Sequence, residues 1–153
     1  MIALALRFPS GRFHSTPWGR HVNEGAPEWP PSPWRILRAL VASWKRKLSC
    51  DQSCSSSVTE SMLKKLATPP LFLLPPASTG HTRHFMPWFK KGPDDRTLVF
   101  DAFVALDKKD EVIAIWPDVN LNDAEKKALD RITGVLSFLG RAESWTEARI
   151  LKT

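Results

Sequence analysis

Residues 97–116, TLVFDAFVALDKKDEVIAIW, indicate two strands joined by a tight turn, around which the rest of the fold can be arranged. The polar run Asp107–Asp110 predicts the turn, and Val112–Trp116 is predicted to be the partner of the first strand. Two sets of side chains alternate along that first strand, as expected for two different faces: Leu98, Phe100, Ala102, Val104 and Leu106 on one, and Val99, Asp101, Phe103 and Ala105 on the other.

Upstream of this pair, the chain predicts a strand, a helix and an edge strand. Ile2–Phe8 is a compact apolar run typical of a buried strand. Ser32 and Pro33 open a helix, because serine is a favoured N-cap and proline suits the first helical position. Leu71–Leu74 lies between prolines, which favours a sheet edge. The apolar residues of the helix recur at helical spacing and are predicted to face the core: Trp34, Leu37, Leu40, Val41, Trp44 and Leu48.

A serine-rich segment separates this helix from the edge strand. Residues 49–57 are predicted to form a flexible surface loop. Ser57 and Glu60 have capping-box spacing, which predicts a short second helix. Cys50 and Cys54 have no second pair and no nearby histidine, so they make a poor zinc site and are interpreted as loop residues.

Downstream of the central pair, the chain predicts one more helix and one more strand. Asn122, with Glu125 three residues later, predicts a capped helix with Gly140 just past its end. Thr146–Leu151 is predicted to be the last strand. The order βαββαβ is that of a ferredoxin-like α+β sandwich, and residues 1–153 are predicted to form one domain. The RNA-recognition motif shares this order, but its aromatic signatures are not visible here, so RNA contacts would fall to the loops.

The composition favours an anionic partner. The chain carries 22 Lys+Arg against 16 Asp+Glu, a net charge of +6, which favours nucleic acid first and a membrane surface second. No run approaches the length of a membrane span, and the N-terminus lacks a signal peptide's basic region. Two cysteines and no export signal favour a reducing cytoplasm. We therefore expect a cytoplasmic protein that needs no membrane, metal or other cofactor.

The segment PSGRFHSTPWGRHVNEGAPEWPPSPWR, residues 9–35, combines cations, ring side chains, glycine and proline. Arginine supplies charge and forked donors, while tryptophan and histidine supply stacking faces for an anionic, ringed ligand. Arg35 has two open interpretations: it binds phosphate at the start of the helix, or it pairs with Glu24 or Glu28 and pins the loop. Trp34 is interpreted as core and Trp29 as packing of the loop. The candidate RNA-binding residues of this segment are Arg12, His14, Trp18, Arg20, His21 and Arg35.

Two further segments are basic and contain rings. Residues 77–96 are predicted to be an irregular loop; within it His81 and Arg83 would share one side and His84 the other if the chain is extended. Such a loop suits a single nucleic-acid strand, or it is merely a solvated surface hairpin. Arg141 follows Gly140 and either binds phosphate or forms a surface pair with Glu143 at a helix end. The candidates of the second segment are His81, Arg83, His84, Trp88, Lys90 and Lys91.

Catalysis by histidine is an open alternative. A metal-independent ribonuclease needs a base for the 2′-hydroxyl and an acid for the leaving oxygen, and histidine can perform both roles near neutral pH. His14 or His21 could pair with His84 if the fold brings their segments together. A P-loop, an HExxH motif and a GxSxG motif are absent from the sequence.

Residues 11–44, GRFHSTPWGRHVNEGAPEWPPSPWRILRALVASW, resemble the N-terminus of the RAMP-type subunit of the CRISPR subtype I-U (I-G) effector complex. Residues 81–106, HTRHFMPWFKKGPDDRTLVFDAFVAL, and 139–151, LGRAESWTEARIL, resemble it too. In this family a backbone-capping RAMP module is fused to a repeat-processing one. The resemblance implies a ferredoxin-like RAMP domain that binds CRISPR RNA at its 5′ handle and assembles with other subunits of the complex.

Family members are longer and carry a second RAMP domain, so the chain is expected to correspond to their N-terminal half. Repeat cleavage would then lie downstream, which makes an RNA-binding domain in antiviral defence the leading hypothesis. The alternatives are a metal-independent endoribonuclease that uses His14, His21 or His84, and a scaffold domain whose tryptophan-rich loop docks on a neighbouring subunit.

Overall fold

We describe the protein from a computed structural model, which covers residues 1–87, 92 and 95–151. None of the helices within these ranges is long and apolar enough to cross a membrane. Its short 3-10 turns lie at Val22–Glu24 and Gln52–Cys54, and its strands and helices are β1 (Ile2–Arg7), β2 (Arg12–Phe13), α1 (Pro33–Lys47), α2 (Ser56–Lys65), β3 (Leu71–Leu73), β4 (Ala77–Pro87), β5 (Arg96–Leu106), β6 (Glu111–Trp116), α3 (Asp123–Gly134) and β7 (Glu147–Ile150).

The central sheet has the strand order β3-β6-β1-β7, with antiparallel pairing throughout. Helix α1 connects β1 to β3, and α3 connects β6 to β7, which is the βαββαβ topology of a ferredoxin-like domain. Every second residue of β6 is buried, and Ala114 and Trp116 join Leu40 and Ile132 of the helices in one core. The predicted ferredoxin-like α+β fold is confirmed, as are the edge position of β3 and the last strand β7.

A second sheet, which we call the inserted sheet, has the order β2-β5-β4. Its strands β4 and β5 are inserted between β3 and β6, and its strand β2 follows β1. Strand β5 pairs with β4 and β2, so the prediction that Val112–Trp116 is its partner is wrong. The reason is that the segment β1–β2 pairs with the segment β5–β6, and each segment contributes one strand to each sheet. Strand β1 pairs with β6 in the central sheet, and β2 pairs with β5 in the second. Arg7 lies opposite Glu111 in the central sheet, and Arg12 lies opposite Ala105 in the second.

Residues 77–87 form strand β4 and are not the irregular loop that the sequence predicted. Eleven residue pairs join β4 to β5, from Ala77 opposite Leu106 to Pro87 opposite Arg96. The strand was missed because its side chains are almost all exposed, so burial imposes no apolar alternation on them. Of the candidates in this segment, Trp88, Lys90 and Lys91 lie outside the described residues.

Helix α1 begins as predicted. The Ser32 hydroxyl accepts a hydrogen bond from the backbone N–H of Arg35 at 3.3 Å, and Pro33 occupies the first turn. The predicted core face is only half right, because Trp34 is 59% exposed and Val41 is 38% exposed. The buried stripe instead runs at intervals of four residues along one side of the helix, through Ile36, Leu40, Trp44 and Leu48, with Leu37 partly buried beside it.

Helix α2 is present, but its predicted capping box is wrong. The helix begins at Ser56 with Ser55 as N-cap, and no side-chain hydrogen bond caps it, because Ser57 already lies inside the first turn. Cys54, interpreted as a loop residue, is buried in the core, and this burial raises the pKa of its thiol. The indole N–H of Trp44 donates to the Cys54 carbonyl at 2.8 Å, while Cys50 is exposed.

Helix α3 has the predicted capping box, formed reciprocally by Asn122 and Glu125. It ends at Gly134, however, so Gly140 is not the residue just past its end. Leu136 and Leu139 continue the apolar stripe as buried residues of an irregular segment, which is why the periodicity overstated the helix.

Glu125 also ties α3 to α2. Its buried carboxylate accepts hydrogen bonds from the Ser61 hydroxyl at 2.7 Å and the Lys65 ammonium at 2.6 Å, besides the capping bond from the backbone of Asn122. Burial by itself raises the pKa of Glu125, but the hydrogen bonds from Lys65, Ser61 and Asn122 outweigh it, and the pKa lies below its ordinary value of 4.5. The folded state therefore favours the ionised carboxylate.

We expect Glu125→Gln to lower the free energy of unfolding at pH 7 by about 2 kcal/mol, and Tm by about 4–8 °C, because it removes charged hydrogen bonds at a buried site. A lowered pKa stabilises the fold above pH 4.5 and loses that effect as the pH falls through the folded pKa. The Tm difference between wild type and variant should therefore shrink in acid. Thermal melts from pH 7 to pH 2.5 measure it, with the exposed Glu60→Gln as control. A difference that is the same at every pH would contradict the assignment.

Candidate nucleic-acid interface

One face of the inserted sheet carries several of the predicted RNA-binding residues. Because cross-strand partners share a face, Arg12 lies on the same side of the sheet as Ala105, and Phe103 follows two residues before Ala105 on that side. The Arg12 guanidinium carbon lies 5.3 Å from the centre of the Phe103 ring, which is a cation–π contact. We call this side of the sheet, with the residues that reach it from the 140–144 segment, the Asp101 face.

His14 follows β2 directly and is buried against this face. Its side chain is 7% exposed, and Nδ1 lies 2.7 Å from a carboxylate oxygen of Glu143. Nε2 lies 3.3 Å from Nη1 of Arg141. The Glu143 carboxylate therefore orients the imidazole, and the second ring nitrogen is turned toward the arginine.

Asp101 lies beside Arg141 and two histidines, His14 and His84. Its Oδ1 accepts a hydrogen bond from Nη1 of Arg141 at 2.9 Å and lies 3.9 Å from Nε2 of His14. Its Oδ2 lies 4.0 Å from Nε2 of His84, which reaches the same face from β4. One carboxylate thus stands between two histidines and an arginine that come from three distant parts of the sequence.

The 140–144 segment is held against β2 by its backbone. The N–H of Arg141 donates to the carbonyl of His14 at 2.9 Å, and the N–H of His14 donates to the Ser144 hydroxyl at 2.7 Å. Gly140 has φ +87°, and a Cβ there would stand 2.6 Å from the His14 carbonyl oxygen. Only glycine lets this segment approach closely enough for Arg141 to reach Asp101.

The opposite face of the same sheet carries a second group. The ring centres of His81 and Phe100 are 4.7 Å apart and stacked, and the Arg83 guanidinium carbon lies 5.5 Å from the centre of the Phe100 ring. Both side chains contact Phe100, while His84 contacts Asp101 on the other side. The predicted alternation, His81 and Arg83 on one side and His84 on the other, is confirmed.

Arg20, His21 and Trp18 lie in the loop before α1, next to the Val22–Glu24 turn that packs against β5. Glu24 accepts hydrogen bonds from the Arg20 guanidinium and from the backbone N–H of His21, both at 3.0 Å. These two bonds, the backbone bond first, hold the pKa of Glu24 below its ordinary value. Trp18 is 83% exposed. The pairing of His21 with His84 that the sequence left open stays a prediction.

Arg35 pairs with Glu28, which was the second of its two predicted interpretations. Its Nε and Nη2 donate to the buried carboxylate of Glu28 at 2.8 and 3.1 Å, and Nη2 also donates to the Thr16 carbonyl at 2.8 Å. Glu28 additionally accepts from the backbone N–H of Ser32, so the pair fastens the loop to the start of α1. Trp29 packs partly buried against the core, as predicted.

Sequence reasoning did not assign roles to Asp101, Phe100 and Phe103, and it placed Glu143 only in a surface pair with Arg141. That pair exists, at 3.8 Å, but Glu143 lies closer to His14. The alternation in residues 97–106 did separate Asp101 and Phe103 from Phe100. An acidic side chain on a strand that adjoins basic segments was the signal for a charge cluster at this position.

No family model matches the chain, and no curated protein matches it. Among solved structures, Cas6 from Thermus thermophilus is similar at a TM-score of 0.44 and 14% identity, over 97% of this chain and 53% of that one. The chain thus spans about half the length of that protein.

Proposed function

We propose that the chain binds CRISPR RNA and holds its 5′ handle as part of a type I-U/I-G effector complex. The observation that carries this proposal is the convergence of Arg12, His14, His84 and Arg141 on the Asp101 face. These side chains belong to the three segments that resemble the RAMP-type subunit, residues 11–44, 81–106 and 139–151. The name Cas6 on the similar structure is in line with a role in CRISPR RNA binding or processing.

The chemistry of the inserted sheet suits an RNA backbone. Arg12 on the Asp101 face and Arg83 on the opposite face each lie over a phenylalanine ring, and their guanidinium groups are forked donors suited to phosphate. Arg141 is neutralised by Asp101 in the absence of RNA and would have to exchange a carboxylate for a phosphate. Single-stranded RNA recognition by stacking and phosphate contact fits this arrangement better than reading of a duplex groove.

A second candidate function, endoribonuclease, is favoured by the position of Asp101 between His14 and His84. In such a reaction one imidazole takes the proton of the 2′-hydroxyl, the 2′ oxygen attacks phosphorus, and the P–O bond to the 5′ oxygen breaks. The second imidazole protonates that leaving oxygen, and the product is a 2′,3′-cyclic phosphate. Arg141 would stabilise the charge that develops on the phosphate. His84, 48% exposed, is the histidine of the pair that substrate reaches more readily.

Both functions are tested by titrating the chain with labelled CRISPR repeat RNA and with scrambled RNA in EDTA, at several salt concentrations. Each sample is also run on a denaturing gel. We expect repeat-selective binding that weakens with salt while the RNA stays intact. A discrete cut that disappears in His84→Ala, with binding retained, would replace the binding function by catalysis. No preference for repeat RNA would contradict the proposal and favour a scaffold that docks on partner subunits.

A further inference from the structure

A cavity of about 430 Å³ lies along the side of α1 that faces away from the core. Its floor is made of the small side chains Ala39, Ala42 and Ser43, which are spaced so that they share one side of the helix with Arg35, Arg38 and Arg46. The far wall comes from the segment after α3, through Ser137, Phe138 and Gly140. Small residues at the centre and long ones at the rim produce a concave site of the size that takes a small ligand.

The cavity is positively charged. Among the described residues that line it, four carry a positive charge and none carries a negative one. Arg35 is already paired with Glu28, and Lys47 is turned toward the Val135 carbonyl at 2.6 Å. Arg38 and Arg46 have no carboxylate partner among the residues that the structure describes. These two arginines are therefore the groups available to an anion.

Aromatic rings stand exposed at the rim of the same cavity. Trp34 is 59% exposed, Phe138 is 44% exposed and Trp18 is 83% exposed, and all three line it. Trp34 lies four residues before Arg38, so a ring and a free guanidinium are neighbours on the helix surface. Large exposed rings beside unpaired arginines suit a ligand that is both planar and anionic.

We propose that this cavity binds one unpaired nucleotide of a single-stranded RNA, with the base on Trp34 or Phe138 and the phosphates on Arg38 and Arg46. The inference rests on the proposed function, because it assigns a further subsite to the same RNA. An apolar helix or peptide would leave the two arginines without partners, whereas a nucleotide satisfies both the rings and the charge.

The cavity adjoins the Asp101 face. Gly140 lines its wall, and the next residue, Arg141, reaches Asp101. A strand whose phosphates contact Arg141 can therefore continue past Gly140 into the cavity. This places the nucleotide subsite and the Asp101 face on one RNA path.

The test is fluorescence titration of the whole chain with a single-stranded repeat RNA and, separately, with an eight-nucleotide oligouridylate. The variants are Trp34→Ala, Trp34→Phe and Arg38→Ala, with Lys109→Ala as the control for loss of one exposed charge. We expect Kd to rise about tenfold in Trp34→Ala, the effect of removing one stacked base, and to recover largely in Trp34→Phe. Arg38→Ala should weaken binding and reduce the salt slope by about 0.7, as for one phosphate contact. Lys109→Ala should leave Kd nearly unchanged.

Photocrosslinking with 4-thiouridine RNA supplies a direct readout, with crosslinks expected at Trp34 or Phe138. If the wild type binds RNA and Trp34→Ala and Arg38→Ala bind it equally well, the subsite is overturned while the proposed function stands. If the wild type binds no RNA, both fail together. If polyglutamate binds in an Arg38-dependent way while RNA does not, the cavity is a protein-docking surface and the inference is overturned.

Discussion

Gly140→Ala is expected to lower the free energy of unfolding by about 3 kcal/mol and Tm by about 6–12 °C. Two costs add at this residue. An alanine at φ +87° is strained, and its Cβ would stand 2.6 Å from the backbone oxygen of His14, which cannot move as a side chain tip would. The substitution also pushes Arg141 and Ser144 away from His14, so it should weaken RNA binding as well as stability.

Substitutions at two other glycines distinguish the cost of backbone strain from the cost of the close contact with His14. Gly19 has φ +79° with no atom within 4 Å of an added Cβ, so Gly19→Ala should show the backbone strain alone. Gly134 ends α3 with open space around it, so Gly134→Ala should be neutral or stabilise slightly through helix propensity. Thermal and chemical denaturation measure all three. A Gly140→Ala variant no less stable than Gly19→Ala would contradict the close contact with His14.

Local signals in the sequence were sufficient for the elements of the central sheet. Ser32 and Asn122 were identified as helix caps because capping depends on residues within one turn, and both caps are present. The apolar runs of β1 and β6 are buried, and burial imposes the pattern that was used to predict them. Their order then led to the ferredoxin-like topology.

The inserted sheet could not be predicted in the same way. The tight turn Asp107–Asp110 suggested that its two flanking strands form a hairpin, yet the chain changes sheets there. Whether two strands joined by a short turn pair with each other depends on which distant strand is available, here β2 for β5 and β1 for β6. Strand β4 is exposed on both faces, so it carries no periodic signal at all.

The candidate site depends on the same non-local strand pairing. Residue type and charge were enough to nominate Arg12, His14, His84 and Arg141, but their meeting at Asp101 depends on non-local strand pairing. Trp34 was assigned to the core because helical spacing cannot tell whether a tryptophan on the border of the apolar stripe faces inward. The Trp34 side chain instead lies exposed and lines the cavity along α1.

The triple variant Arg12→Ala, Arg83→Ala, Arg141→Ala is expected to raise Kd for repeat RNA by about 1,000-fold or more, since each lost charged contact costs about 1.5–3 kcal/mol and about 1.4 kcal/mol is a tenfold change. Arg12 and Arg83 pack over rings on opposite faces of the inserted sheet, and Arg141 is held at its edge by Asp101. Loss of three phosphate contacts should flatten the slope of log Kd against log salt by about 2 for a single strand. Fluorescence anisotropy at several salt concentrations measures both quantities.

A second triple variant that removes the same charge elsewhere shows whether the loss of RNA affinity depends on the position of the arginines. Lys64→Ala, Lys126→Ala, Lys127→Ala removes the same charge from exposed positions on α2 and α3. Equal losses of affinity in the two triple variants would show that RNA responds to the net charge of +6 and would contradict a defined interface. A loss confined to the arginine variant, with unchanged Tm, would instead place the RNA on the inserted sheet, because the two chains then differ only in where the charge was removed.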